Sequence, residues 1–237
     1  VHGKNHHVAG TIGRHIRSLR MRVASGELLE CSREQHADLF RATLGGQGLT
    51  GHILEVELAM ERTPSPWIIQ DSERVPNIDA FMEALQTSAE QWPFTVGWID
   101  CLSRGKNLGR GILIKGRWAT PDEAPPTFPS PKRRIAVPFV FPAWALNDLS
   151  VLAFNQLYYR KHIQQRRVAV EHPDPFFYPL DAILQWNRIY GKRGFTQHQC
   201  VLPAAAGREA VVRYMELLTK RGGASFLCVI KDCGPEG

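Results

Sequence analysis

Lys231 closes an otherwise apolar run, Phe226-Leu227-Cys228-Val229-Ile230. A buried ammonium is costly there unless something needs its charge. If the strand simply ends at that point, the lysine is a solvated edge residue. Gln197-His198-Gln199-Cys200 alternates along a predicted strand, which turns Gln197 and Gln199 to one face. Two amides facing inward need hydrogen-bond partners, and a bound polyol supplies them; facing outward, water does. The opening run Val1-His2-Gly3-Lys4-Asn5-His6-His7 crowds ligand donors around one glycine. His2, His6 and His7 could hold a metal, but Gly3 and Gly10 argue against the helix that would align them, and no acidic partner is near. The same glycine, lysine and N–H donors also suit a loop that approaches a phosphate or the polar edge of a ring. A solvated histidine-rich terminus needs neither explanation.

Gly45-Gly46-Gln47-Gly48-Leu49-Thr50-Gly51 has four glycines in seven positions. No Gly-Lys-Ser/Thr follows, so it is not a Walker loop, and it lies between a helix and a strand rather than in the dinucleotide-binding order. A helix C-cap and turn explain it equally well. Trp98 sits on the run Thr95-Val96-Gly97-Trp98-Ile99-Asp100, where a tryptophan is ordinarily core.

The elements that carry these residues fall into two groups. Residues 16–23 alternate apolar with polar, Ser25-Gly26 turns, and residues 27–31 return, which predicts a hairpin. Ser32, with Gln35 three residues on, reads as a capping box for a short helix carrying Ala37, Leu39, Phe40 and Leu44. Alternation resumes over 53–60. Thr63-Pro64-Ser65-Pro66 is the internal boundary, since neither a helix nor a central ladder continues through it. Beyond it come a strand at 67–70, a helix over 78–90 and strands over 94–102 and 111–119. A proline-rich excursion fills 120–143. Helices follow at 145–158 and 176–190, the latter starting near Pro179, then a strand at 194–202, a helix at 205–221 and a strand at 225–231. This is an α+β pattern, with an antiparallel sheet carrying helices on one face from Thr63 onward.

The 237 residues allow one large or two smaller domains, and 43% apolar with 22% charged residues is ordinary for a globular chain. A net charge of +6 invites anionic partners, yet no nucleic-acid recognition motif accompanies it. The one compact basic run is Lys132-Arg133-Arg134. Five scattered cysteines fit neither a disulfide framework nor a zinc site and read as reduced thiols in a cytoplasmic protein. The longest uncharged run, 135–147, has 13 residues and two prolines, too short to span a bilayer.

Six runs together resemble a known family: the opening heptad, Gly46-Gln47-Gly48-Leu49-Thr50-Gly51, Trp98-Ile99-Asp100, Leu108-Gly109-Arg110-Gly111, Pro179-Leu180-Asp181 and Trp186-Asn187-Arg188-Ile189-Tyr190-Gly191. In this order, and from the first residue to the last, they are similar to the decaprenylphosphoryl-β-D-ribose 2′-oxidases, flavoproteins of the vanillyl-alcohol-oxidase class. The resemblance implies FAD held between a flavin-binding domain of the PCMH type, of which residues 1–62 are the C-terminal portion, and a substrate-binding cap domain, residues 63–237. It implies that His2, Gly3, Lys4, Asn5, Gly48 and Ile53 serve the cofactor. Trp98, Phe177, Gln197, Gln199 and Lys231 would line the substrate pocket, with Lys231 and Gln199 the catalytic groups.

The implied reaction oxidises a secondary hydroxyl of a polyprenyl-phosphate-linked pentose to a ketone, the first half of a 2′-epimerisation completed by a short-chain reductase partner. The alternatives are an aldonolactone oxidase of the same class and a non-enzymatic basic binding module. The family's pyrophosphate loop, an essential C-terminal lysine and an inhibitor-reactive cysteine have no counterpart in these residues, so the 237 residues alone are expected to bind FAD poorly and to be inactive. Phe177 stands where the family relative has tyrosine, and Cys233 where it has an aromatic residue. The apolar stretch 135–159 reads as a wall or flap for the lipid. Lys132-Arg133-Arg134 beside it suits phosphate or a peripheral contact with the anionic inner membrane.

Overall fold

A computed structural model describes residues 3–142, 144–221 and 224–234. The chain divides into two compact units, one of Val1–Thr63 with Cys233–Gly237 and the other of Pro64–Asp232.

In the first unit a single helical turn, α1 (His6–Ala9), follows Asn5, whose carbonyl accepts from Val8 and Ala9 N–H. The glycines were expected to forbid a helix here; instead Gly10, at φ 72°, ends it after one turn. Next come β1 (Ile16–Arg22), β2 (Leu28–Ser32), α2 (Ala37–Thr43) and β3 (His52–Leu58). β1 is the centre of an antiparallel sheet, between β2 and β3. Its inward residues Ile16, Leu19 and Met21 meet Cys31 and Phe40 in a small core. The expected capping box at Ser32 does not form. The Ser32 hydroxyl accepts from Glu34 and Gln35 N–H in a tight turn, and α2 starts only after His36 in a left-handed conformation. β3 forms as its alternation predicts, but every one of its residues is exposed.

The second unit runs through β4 (Ile68–Val75), α3 (Ile78–Ser88), β5 (Phe94–Ile99), β6 (Gly111–Trp118), β7 (Ile135–Ala136), α4 (Asp148–Lys161), β8 (Arg166–Glu171), α5 (Pro173–Phe177), β9 (Ile183–Leu184), α6 (Gly207–Lys220) and β10 (Val229–Ile230). Its main sheet has the order β10-β5-β6-β4-β8, antiparallel throughout. Asn77 caps α3 through its side-chain oxygen, and Asn147 with Ser150 closes a capping box on α4. The architecture is α+β, as the pattern of elements predicts.

Helices cover both faces of this sheet rather than one. Val75, Ile99 and Leu113 meet Ile78, Phe81 and Leu85 of α3 and Met215 of α6. On the opposite face Trp98 packs on Tyr158 of α4, and Phe94 on Phe176 and Phe177 of α5. The strands are apolar on both sides, so a second helical layer is needed to keep that face from water. Three further expectations fail. The helix expected over 176–190 is α5, two short 3₁₀ turns and β9. Residues 194–202 form no strand: among the described residues no ladder includes them. The strand expected at 225–231 shrinks to two residues. β8 went unforeseen because its sequence, Arg166-Arg167-Val168-Ala169-Val170-Glu171, carries charge at both ends, as edge strands do.

Candidate functional site

The residues expected to serve a cofactor lie in the first unit. His2 lies outside the described residues. Gly3 is exposed, and a Cβ there would come 2.7 Å from Asn5 Oδ1, the movable end of a side chain. Lys4 and Asn5 are half-buried in the turn that leads into α1. The His6 ring is buried, and its Nδ1 accepts from Gly234 N–H at 3.1 Å, which ties that imidazole into the fold. Among the described residues no group of three or more His, Cys, Asp or Glu side chains is arranged to hold a metal ion.

The glycine-rich loop holds Gly45, Gln47 and Gly48 at positive φ (81°, 54° and 78°), pinned at its base by the Thr43–Thr50 hydroxyl pair at 2.9 Å. In front of Gly48 no atom lies within 4 Å of where a Cβ would stand, so a ligand can reach the backbone there. Ile53 stands on β3 opposite Met21 with its side chain in solvent. Of these residues, Gly48 with its open backbone is where a cofactor could approach the chain.

The residues expected to line the substrate pocket lie in the second unit. Trp98 is buried (6% exposed), its indole N–H donates to Phe226 O at 2.9 Å, and its ring lies 4.6 Å from that of Tyr158. Burial pushes the Tyr158 phenol above its ordinary range. Val229 of β10 is the register partner of Trp98, and Ile230 that of Gly97. Lys231 is half-buried one residue past the end of β10. It is therefore not an ammonium sealed inside a strand. Phe177 lies further along the sheet face of Trp98, against Phe94 at 5.1 Å and Trp118 at 5.4 Å. Gln197 and Gln199 are exposed in irregular chain, so the shared strand face that would have paired their amides does not exist. Lys132, Arg133 and Arg134 are exposed.

The structure adds a cluster that the sequence did not connect. Asp100, fully buried, follows β5 directly after Trp98 and Ile99. Its Oδ2 accepts both Nε and Nη2 of Arg110, at 3.0 and 2.7 Å, and its Oδ1 accepts Leu102 N–H and Asn155 Nδ2. Arg110 in turn stands 5.0 Å from the centre of the Tyr159 ring. A buried carboxylate with four donors, two of them from a bidentate guanidinium, is satisfied in charge and hydrogen bonds. It locks α4 and the β5–β6 hairpin together beneath Trp98. Asp100 and Arg110 belong to two of the runs that carry the family resemblance; the hairpin register is what makes them partners. A second network holds the sheet's far side, where Lys115 pairs with Asp71 and Glu73, and Arg166 with Asp71.

Two surface hollows accompany these clusters. One of about 400 Å³ lies between Arg104–Leu108 and Glu216–Lys220 and, Leu108 apart, holds none of the residues singled out above. The other, about 720 Å³, runs along α4.

No protein-family profile matches the chain. It is 33% identical over 247 aligned residues to the decaprenylphosphoryl-beta-D-ribose oxidase of Mycolicibacterium smegmatis, covering 99% of this chain and 52% of that protein. It is 31% identical over 125 residues to a Streptomyces coelicolor protein named only as an uncharacterized protein in the mprA 5′ region, covering 53% of this chain and 34% of that one. The chain thus spans about half the length of the first relative and a third of the second. The resemblance carried by the opening heptad and the later runs extends along the whole chain.

Proposed function

We propose that the protein of which these residues form part is an FAD-dependent oxidase acting on a secondary hydroxyl of a polyprenyl-phosphate-linked pentose, with a reductase partner completing the epimerisation. The observation that carries this reading is the likeness, over 99% of the chain, to a relative named as a decaprenylphosphoryl-ribose oxidase. His2, Gly3, Lys4, Asn5, Gly48 and Ile53 would hold the cofactor. The chemistry FAD supplies when bound is acceptance of a hydride.

The chain's own residues have separable tasks. The Asp100–Arg110–Asn155 cluster fixes the end of β5 and so the buried Trp98 indole, which packs on Tyr158 and positions it. Lys231 brings a cationic donor to the end of β10. A donor so placed stabilises negative charge on the reacting oxygen as its proton leaves. Gln199 supplies an amide that donates to one hydroxyl and accepts from another. Phe177 closes the apolar end of the Trp98 face and keeps water from it. Among the described residues no helix is long and apolar enough to cross a membrane, so contact with a lipid-linked substrate would be made from the surface.

The test is anaerobic mixing of the full-length protein with a lipid-linked pentose, watched by flavin absorbance. Bleaching is expected, and Lys231→Ala should lower kcat/KM by about 100-fold or more. Bleaching by a free sugar lactone alone would make it an aldonolactone oxidase. Protein purified without flavin absorbance, and unable to take up added FAD, would favour a binding module.

A further inference from the structure

The hollow of about 400 Å³ lies on the α6 side of the main sheet, the face opposite Trp98. Arg104 and Gly105 of the β5–β6 connection form one wall, Glu216 and Lys220 of α6 the other, and the buried Leu108 and Thr219 the floor. The walls are held in place. Thr219 Oγ1 lies 2.8 Å from Cys101 O, which ties α6 to the connection. Leu108 N–H donates to Gly105 O, and Leu108 O accepts Ile78 N–H. The Asp100–Arg110 pair clasps the two ends of the same connection. Charge sets the hollow apart. Arg104 and Lys220 stand on opposite walls, with the exposed Lys106 and Arg221 close by in the chain. None of the four makes an ion pair among the described residues, whereas Arg208, at the start of α6, meets Asp79. Basic residues at a helix C-terminus answer the carbonyls exposed there, which accounts for Lys220 and Arg221. Arg104 and Lys106 come from another element, and the helix end does not explain them. Glu216 is the one carboxylate of the lining, and it pairs with neither cation.

From this arrangement we infer that the hollow binds a small phosphate monoester that carries hydroxyls, a sugar phosphate. Its dianion sits between Arg104 and Lys220, and one of its hydroxyls donates to Glu216. Two cations on opposite walls suit an anion that accepts from two sides. The carboxylate beside them repels a bare anion and is satisfied by a ligand that also brings a donor. Sites for small molecules run from about 300 to 1,000 Å³, so a compact ligand fits this one. No aromatic ring lines it, so a nucleobase finds nothing to stack on, and Leu108 alone is no seat for a long apolar chain. The site stands on the far side of the sheet from Trp98 and does not depend on the oxidase reading.

The experiment titrates the full-length protein by calorimetry, at fixed ionic strength, with ribose 5-phosphate, glucose 6-phosphate, the two free sugars and inorganic phosphate. At least one sugar phosphate should bind about tenfold or more tighter than inorganic phosphate, and the free sugars should bind more weakly still. The double change Arg104→Glu with Lys220→Glu should weaken that sugar phosphate by about tenfold or more. Glu216→Gln should leave inorganic phosphate bound as well as before or better, and cut the advantage of the sugar phosphate over it to about threefold or less. All three side chains are exposed, so circular dichroism and the melting temperature should stay unchanged and exclude misfolding. Failure of both sugar phosphates to bind overturns the inference. So does binding no tighter than that of inorganic phosphate, since the hollow would then be a diffuse basic patch. Affinity that survives the charge reversal overturns it too, because the ligand would sit elsewhere in the protein.

Discussion

Asp100 shows how much one carboxylate organises. Replacing it by alanine leaves Arg110 with its charge uncompensated near the β5–β6 hairpin and strands the Asn155 amide in the core. Such a loss costs about 3–5 kcal/mol, read as a fall in the urea midpoint, whereas removing both Asp100 and Arg110 should cost less than the two single changes added. His162, at the end of α4, sets a pH dependence. Its Nδ1 is buried without a hydrogen-bond partner, and burial, then the cations Lys161, Arg74 and Arg167, hold its pKa below the ordinary 6.5. The unfolded chain therefore takes up the proton first as pH falls. Stability is complete above about pH 6.5 and declines below it, through the folded pKa. His162→Gln should flatten that decline in melts between pH 7 and 5, about the range over which histidine titrates. Neither residue stood out as a site in the sequence, because partnership across a hairpin or a helix end is not written in local spacing.

Gly97 and Gly116 make the two sheet faces separately testable. A Cβ at Gly97 would meet the Phe81 ring of α3 at 2.4 Å, and one at Gly116 would meet the Phe176 ring of α5 at 2.3 Å. Each change to alanine should cost about 1–3 kcal/mol through overpacking. They should differ in where the damage falls, and amide exchange would show α3 loosened by the first and α5 by the second. The elements with strong periodicity were legible: β1, β2, β3, α3, β5, β6 and α6 stand close to where alternation or amphipathic spacing puts them. The stretch 176–190 was not, since short 3₁₀ turns held by aromatic packing, such as Trp186 on Phe195 at 5.1 Å, leave no period to read. The stretch 194–202 has the right alternation but joins no ladder among the described residues, and alternation alone does not make one. The candidate site suffers in the same place, because the paired faces of Gln197 and Gln199 depended on that strand.

Two compact units joined at Thr63–Pro64 should unfold in two steps rather than one. Brief trypsin treatment should cut first at exposed sites outside regular structure, Arg62 and the run Lys132-Arg133-Arg134, with mass spectrometry reporting the fragments. The thiols divide by depth. Cys200 and Cys233 are exposed and should alkylate first, while Cys31 and Cys101 stay protected. Cys228 should lag as well, because burial, then Cys101 and Asp100, push its thiol up to about 12 and keep the reactive thiolate scarce. The boundary at Thr63-Pro64-Ser65-Pro66 could be read from its prolines. The fold class could be read too, but not the return of the chain after Asp232 to the first unit, which is a property of tertiary contact alone.

β3 bears on how this polypeptide behaves in a test tube. It lies at the rim of its sheet, and Ile53, Leu54, Val56 and Leu58 all face water along seven residues. A long, apolar rim strand is a template for stacking identical chains edge to edge. Preparations of these residues alone should therefore grow turbid with concentration, and lysines at Val56 and Leu58 should keep them clear.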